Sequence, residues 1–137
     1  MDFATFAERV SAVERHLERV ESRLPATPDK LTPLSDSTDA VILHLWQSIR
    51  VVIDIATSVS VKRGLGVPQS YAEGFRKLAA DGILEATLAE RLARAAGFRN
   101  LVVHAYADLD LALVFESASK GPSDLRAFLK AVARVVK

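Results

Sequence analysis

Residues 40–61 have the sequence AVILHLWQSIRVVIDIATSVSV, in which apolar side chains occur on nearly every face of a helix. A helix that is apolar on most sides is buried on most sides. We therefore predict a central helix, capped by Ser37, Thr38 or Asp39 and continuing to about Arg63. Part of its apolar surface is also available to another subunit.

Polar side chains exclude a membrane-spanning interpretation of this segment. A spanning helix needs roughly 20 predominantly apolar residues with few charges. The segment is interrupted by His44, Gln47, Ser48, Arg50, Asp54, Thr57 and Ser58. The N-terminus is acidic and lacks the long apolar run of a secretory signal. We therefore expect a cytoplasmic protein without membrane contact.

The segments on either side also have helical periodicity. From Asp2 to Leu24 the apolar residues are spaced alternately three and four apart, and Pro25 ends the pattern. Ser70 is expected to cap a short helix through Ala80, with Glu73 completing a capping box.

Two more helical stretches follow. One begins near Leu84, and residues 108–119 form a further segment or its continuation, ended by Lys120-Gly121-Pro122. Ser123 then caps a last helix to about Val136. The sequence predicts an all-α, up-and-down antiparallel bundle of about five helices, forming a single domain over residues 1–137.

Composition restricts the function only broadly. The chain has 137 residues, of which 50% are hydrophobic and 26% charged, and its net charge is +1. A strongly basic, general nucleic-acid binder is therefore not indicated, although positive charge focused at one cleft is compatible with RNA. The chain has no cysteine, so neither a disulfide nor a thiolate metal site can form.

Residues 99–106, Arg-Asn-Leu-Val-Val-His-Ala-Tyr, contain three side chains suited to phosphodiester chemistry. Arg99 offers a fixed charge and a planar fork of donors that matches phosphate. His104 can give or take a proton near neutral pH, and the Tyr106 hydroxyl can hydrogen-bond or be modified. None of the three needs a metal or a cofactor.

Helical geometry separates the two strongest candidates. At about 100° per residue, Arg99 and Tyr106 share a stripe, whereas His104 lies roughly 140° from Arg99. Asn100 and His104, four residues apart, share a face. One straight helix therefore cannot direct Arg99 and His104 at one phosphate. Either Gly97 kinks the helix, or two copies of the chain build a composite site.

Residues 97–106 and residues 64–75, GLGVPQSYAEGF, together resemble the HepT-like branch of the HEPN ribonuclease toxins. The resemblance extends from about the first helix to the C-terminus. Its most specific element is Arg-x4-His-x-Tyr, which is intact here. The resemblance implies a HEPN-type bundle and a homodimer whose cleft contains both copies of the motif.

The function that the resemblance implies is a metal-independent endoribonuclease toxin of a type VII toxin–antitoxin system. The ribose 2′-hydroxyl attacks the adjacent phosphorus, with His104 as general base or acid and Arg99 stabilising the phosphoryl charge. Asn100 is expected either to orient the phosphate or the histidine, or to be an ordinary amide on the helix surface. An MntA-like nucleotidyltransferase antitoxin is expected to adenylylate Tyr106, which would block RNA by bulk and negative charge.

Two other interpretations stay open. One is a catalytically inactive HEPN scaffold that binds a nucleotidyltransferase or a nucleotide. The other is a plain helical dimerisation protein, which would be favoured if Arg99 and His104 stay apart in every subunit pairing.

The remaining candidate residues have simpler interpretations. His16 is expected to be solvated and His44 to be partly buried, and the scattered histidines predict no metal site. The last helix carries a basic strip that is either solvated or a guide for RNA, consisting of Arg126, Lys130, Arg134 and Lys137.

Overall fold

The computed structural model describes residues 1–136, and in that range it contains five α-helices and no strand. The helices are α1 (Phe3–Arg23), α2 (Asp36–Lys62), α3 (Tyr71–Ala80), α4 (Ala86–Ala105) and α5 (Leu111–Ala133). Short 3₁₀ turns cover Pro28–Lys30 and Tyr106–Asp108. The predicted all-α architecture is confirmed.

Helix α2 is the central helix, as its apolar sequence predicts. It contacts each of the other four helices. Contrary to the expectation, its polar residues do not by themselves exclude a membrane span, because the length and composition of the helix are sufficient for one. More than half of its most apolar 18-residue segment is, however, buried inside the protein. Burial of this kind is what a core helix of a bundle requires.

Local capping signals set several helix ends where the sequence places them. The Asp2 carboxylate accepts a hydrogen bond from the Thr5 N–H at 2.7 Å, and the Ser70 hydroxyl accepts one from the Glu73 N–H at 3.1 Å. The Glu73 carboxylate in turn accepts a hydrogen bond from the N–H of Gln69, one residue before the cap. These polar contacts fix where α1 and α3 begin.

The predicted start of α2 is wrong. Its cap is Ser35, whose hydroxyl oxygen accepts a hydrogen bond from the Thr38 N–H at 3.2 Å, so Ser37, Thr38 and Asp39 lie inside the first turn. The five consecutive residues 35–39 are all Ser, Thr or Asp and can all cap a helix, so the pattern alone does not choose among them. The consequence is that the Asp39 side chain is free for a tertiary contact.

The predicted interruption at Lys120-Gly121-Pro122 is also wrong, because α5 is one helix from Leu111 to Ala133. Pro122 lacks the N–H that would donate a hydrogen bond to the carbonyl four residues earlier, and the loss of this hydrogen bond usually destabilises a helix. Here Ala118, Pro122 and Leu125 are all buried, and packing stabilises both halves of the helix.

One residue of the basic strip of α5 forms ion pairs within the protein. Arg126 makes a bidentate contact with Glu21 at 2.8 Å and a further contact with Glu14 at 3.2 Å, which ties α5 to α1. Arg126 is therefore not a free RNA contact. Lys137 lies outside the described residues.

Candidate functional site

Helix α4 carries Arg99, Asn100 and His104, and Tyr106 follows it in the 3₁₀ turn. The helix is assigned without a break from Ala86 to Ala105, and a Cβ at Gly97 would have open space. The structure therefore offers no interruption at Gly97 that would redirect the motif.

Arg99 is held at the seam between α3 and α4. Its guanidinium carbon lies 5.2 Å from the centroid of the Tyr71 ring, and its Nη1 donates to Asn100 Oδ1 at 3.4 Å. Within residues 1–136, no carboxylate lies within ion-pair distance of Arg99. The arginine is partly buried and positioned, yet its charge remains available for an anion.

A pocket of about 440 Å³ opens beside this arginine. Its wall includes Tyr71, Asn100, Gln69 and Ser70, so it combines one aromatic face with amide and hydroxyl groups. Such a surface can stack on a base and hydrogen-bond to it. Tyr71 joins the candidate site for this reason. The sequence pattern does not single it out, although it lies in the 64–75 segment that carries the family resemblance.

His104 is exposed on another face of α4. The part of the chain that the structure describes gives its side chain no hydrogen-bond partner or ion pair. On an unbroken helix the two side chains diverge by roughly 140°. The structure therefore brings Asn100 to Arg99, whereas one protomer does not bring His104 to Arg99. Asn100 and His104 share a face of α4, without a side-chain hydrogen bond between them among the described residues.

Tyr106 contacts a residue far away in the sequence. Its hydroxyl donates to the Asp39 carboxylate at 2.6 Å, across 67 positions of sequence. This hydrogen bond, reinforced by partial burial and the negative charge of Asp39, raises the pKa of Tyr106 to about 12. Tyr106 is nonetheless 42% exposed, so a partner protein can reach it.

An apolar surface lies beside Tyr106, where α2 and α4 meet. A pocket of about 430 Å³ is lined there by Leu43, Trp46, Val102 and Val103 together with Asp39, Ile42 and Tyr106. Leu43 is 47% exposed and Val103 49% exposed. Adjacent exposed apolar residues of this kind mark an interaction surface.

His16 and His44 are paired, contrary to the expectation of a solvated His16. Their Nδ1 atoms lie 2.9 Å apart between α1 and α2. Burial lowers the pKa of both imidazoles, and the positive charge of Arg19 lowers both further. Within residues 1–136 no group of three or more His, Asp or Glu side chains is arranged to hold a metal ion.

Comparison with known proteins gives these residues a context. Residues 13–132 match the family model for ribonuclease HepT-like proteins. The chain belongs to the ribonuclease HepT-like family. It is 32% identical to the mRNA nuclease HepT of Shewanella oneidensis, over 69% of this chain and 71% of that protein. It is also 32% identical to a candidate RNase of Archaeoglobus fulgidus, over 90% of this chain and 95% of that protein.

Solved structures of HepT-like toxins have the same fold. The tri-AMPylated HEPN toxin of Shewanella oneidensis, in complex with its MNT antitoxin, superposes with a TM-score of 0.86 at 25% identity and covers 98% of this chain and 99% of that one. A toxin–antitoxin structure with AMP-PNP matches with a TM-score of 0.84 at 25% identity, over 94% and 97% of the two chains. The predicted resemblance, HEPN-type fold and ribonuclease assignment are confirmed.

Proposed function

We propose that this HepT-like chain is the endoribonuclease toxin of a type VII toxin–antitoxin system, acting in the cytoplasm as a homodimer. The proposal depends on one observation: Tyr71 and Asn100 position Arg99, yet Arg99 has no ion-pair partner among the described residues. The arginine belongs to an intact Arg-x4-His-x-Tyr motif. The relatives named as nucleases support the chemical class.

The proposed mechanism uses protein groups without a metal. Arg99 binds the phosphoryl oxygens and stabilises the charge that develops when the 2′-hydroxyl attacks phosphorus. His104 takes the proton from that hydroxyl or gives one to the leaving 5′-oxygen. Asn100 positions Arg99, because its side-chain oxygen accepts a hydrogen bond from the guanidinium, and it so contributes to phosphate binding.

A second copy of the chain supplies the missing geometry. Arg99 and His104 diverge in one protomer, so a complete site needs Arg99 from one copy and His104 from the other. The exposed Leu43, Leu101 and Val103 supply apolar surface close to the motif for such a contact. A specific dimer is expected to bury about 1,200 Å² or more in total.

The proposed partner is an MntA-like nucleotidyltransferase that adenylylates Tyr106. The AMPylated toxin bound to an MNT antitoxin in Shewanella oneidensis supports this assignment. An AMP group at this exposed hydroxyl adds bulk and negative charge beside the motif, which opposes RNA binding.

The competing proposal is a catalytically inactive scaffold that binds the nucleotidyltransferase or a nucleotide. The separation of Arg99 and His104 on one helix is the observation that favours it.

Cleavage of RNA decides between the two proposals. The purified protein is expected to cut single-stranded RNA in excess EDTA and to leave 2′,3′-cyclic phosphate or 3′-phosphate ends. Arg99→Ala is expected to abolish cutting while leaving the helical circular dichroism signal unchanged. A wild-type protein that binds the antitoxin but cuts no RNA would establish the scaffold, and loss of cleavage in EDTA would contradict metal independence.

A further inference from the structure

The contact between Tyr106 and Asp39 has a chemical consequence beyond packing. Asp39 lies in the first turn of α2, and the Tyr106 hydroxyl is its only side-chain partner within residues 1–136. A carboxylate in the first turn of a helix is stabilised by the helix dipole. The Tyr106 hydroxyl therefore already donates to a carboxylate oxygen, with 2.6 Å between Tyr106 Oη and Asp39 Oδ1.

The surroundings of Tyr106 offer no comparable group. Two pockets border its ring, and among the described residues that line them Asp39 is the only charged side chain. The remaining lining residues are apolar apart from Thr38 and the indole of Trp46. Within this chain, Asp39 is the acceptor in place for the proton of Tyr106.

We propose that Asp39 is the general base for adenylylation of Tyr106, an inference that rests on the proposed modification of this tyrosine. Tyr106 Oη attacks the α-phosphorus of ATP. The Oη–phosphorus bond forms, the bond from phosphorus to the bridging oxygen breaks, and pyrophosphate leaves with that electron pair. The phenolic proton passes to Asp39 Oδ1 and from there to solvent. The toxin thus supplies the base for its own neutralisation.

The electrostatics of the contact show why a base is needed. The raised pKa of Tyr106 keeps its hydroxyl protonated at neutral pH, so free phenolate is scarce. A base within hydrogen-bond distance removes the proton as the new bond forms, and general base catalysis typically contributes about 10²- to 10⁴-fold in rate. The same carboxylate that suppresses spontaneous ionisation therefore promotes the transfer step.

Substitutions at Asp39 separate proton transfer from positioning. Asp39→Asn retains an oxygen that accepts the Tyr106 hydrogen bond but cannot take the proton, whereas Asp39→Ala loses both. With the cognate MntA-type antitoxin and ATP, we expect Asp39→Asn to lower the initial rate of AMP incorporation at Tyr106 by about 10²-fold or more. Intact-protein mass spectrometry measures the rate, and peptide mapping identifies the residue.

The pH dependence gives a readout that a structural role would not change. Asp39→Asn has no base at this position, so it reacts only through the small ionised fraction of Tyr106. Its rate relative to wild type is therefore expected to rise by about tenfold per pH unit between pH 7 and 9. The ratio cancels the antitoxin's own pH profile. Asp36→Asn is the matched control, because Asp36 is an exposed carboxylate of the same first turn that does not contact Tyr106. It is expected to be modified at the wild-type rate.

The outcomes separate this inference from the proposed function. If the wild-type protein acquires no AMP at Tyr106, the proposed modification fails and the inference fails with it. If the wild-type protein is modified and Asp39→Asn is modified equally fast or faster, only the role of Asp39 is overturned. A slow Asp39→Asn whose rate ratio stays constant with pH assigns Asp39 to positioning and also overturns the general base.

Discussion

The guanidinium carbon of Arg99 lies over the ring of Tyr71, at 5.2 Å from the ring centroid, so the first turn of α3 positions the arginine that we propose binds phosphate. A cation–π contact at an exposed site contributes about 0.5–1 kcal/mol, which corresponds to about two- to fivefold in an equilibrium or rate. Tyr71→Ala is therefore expected to lower kcat/KM for RNA cleavage by about that factor, far less than Arg99→Ala.

Tyr71→Phe is the control for this prediction. It keeps the aromatic face, and we expect kcat/KM close to wild type. Steady-state cleavage of a fluorescent RNA measures both variants. A loss in Tyr71→Phe as large as that in Tyr71→Ala would assign the role to the hydroxyl and not to stacking.

The His16–His44 pair predicts that acid weakens the fold. Burial lowers both folded-state pKa values below the ordinary 6.5, so the native state favours the neutral imidazoles. The unfolded chain then binds more protons, and stability present above about pH 6.5 is lost as the pH falls. The melting temperature is expected to drop between pH 7.5 and 5.5.

Substituting one member of the pair tests its part in this pH dependence. His16→Gln leaves a single imidazole at the contact and is expected to show a smaller drop. His104→Gln, which changes a histidine on α4 outside the pair, is the matched control. A His16→Gln protein with the full wild-type drop would remove the pair from the explanation.

Local and periodic features of the fold are predictable from the sequence. Tertiary packing that offsets an unfavourable local residue is not. The caps at Asp2 and Ser70 and the burial of α2 follow from short-range chemistry and periodicity. The continuity of α5 through Pro122 depends on burial against other helices, which no window around the proline reveals. The prediction that a proline ends a helix therefore fails where tertiary packing stabilises the helix by more than the proline destabilises it.

The site divides in the same way. The motif identifies Arg99, His104 and Tyr106, and the geometry of a regular helix is enough to predict that the first two diverge. The long-range contacts of Arg99 and Tyr106 come from other helices: Tyr71 begins α3, and Asp39 lies 67 positions before Tyr106. No periodicity links such distant positions, so the sequence around Asp39 indicates only a helix cap.

Tyr106 is predicted to be the modified residue. Co-expression with the nucleotidyltransferase should add AMP mass to the peptide that contains Tyr106, and RNA cleavage should fall. Tyr106→Phe keeps the ring and removes the acceptor oxygen, so it should escape covalent neutralisation. Peptide mass spectrometry checks both proteins. AMP on Tyr71, or neutralisation without any modification, would favour inhibition by complex formation.

A composite site predicts that two inactive variants restore activity together. In a mixed dimer of Arg99→Ala and His104→Ala subunits, one site lacks both residues, while the other combines the intact Arg99 of one subunit with the intact His104 of its partner. Each variant alone is expected to lose about 10²- to 10⁴-fold in rate. The mixed dimer, purified through two different tags, is expected to recover about half of the wild-type activity, since one of its two sites is complete. If both residues acted within one protomer, every site in the mixed dimer would be defective. A mixed dimer as inactive as its parents, with dimerisation confirmed by light scattering, would therefore contradict the shared site.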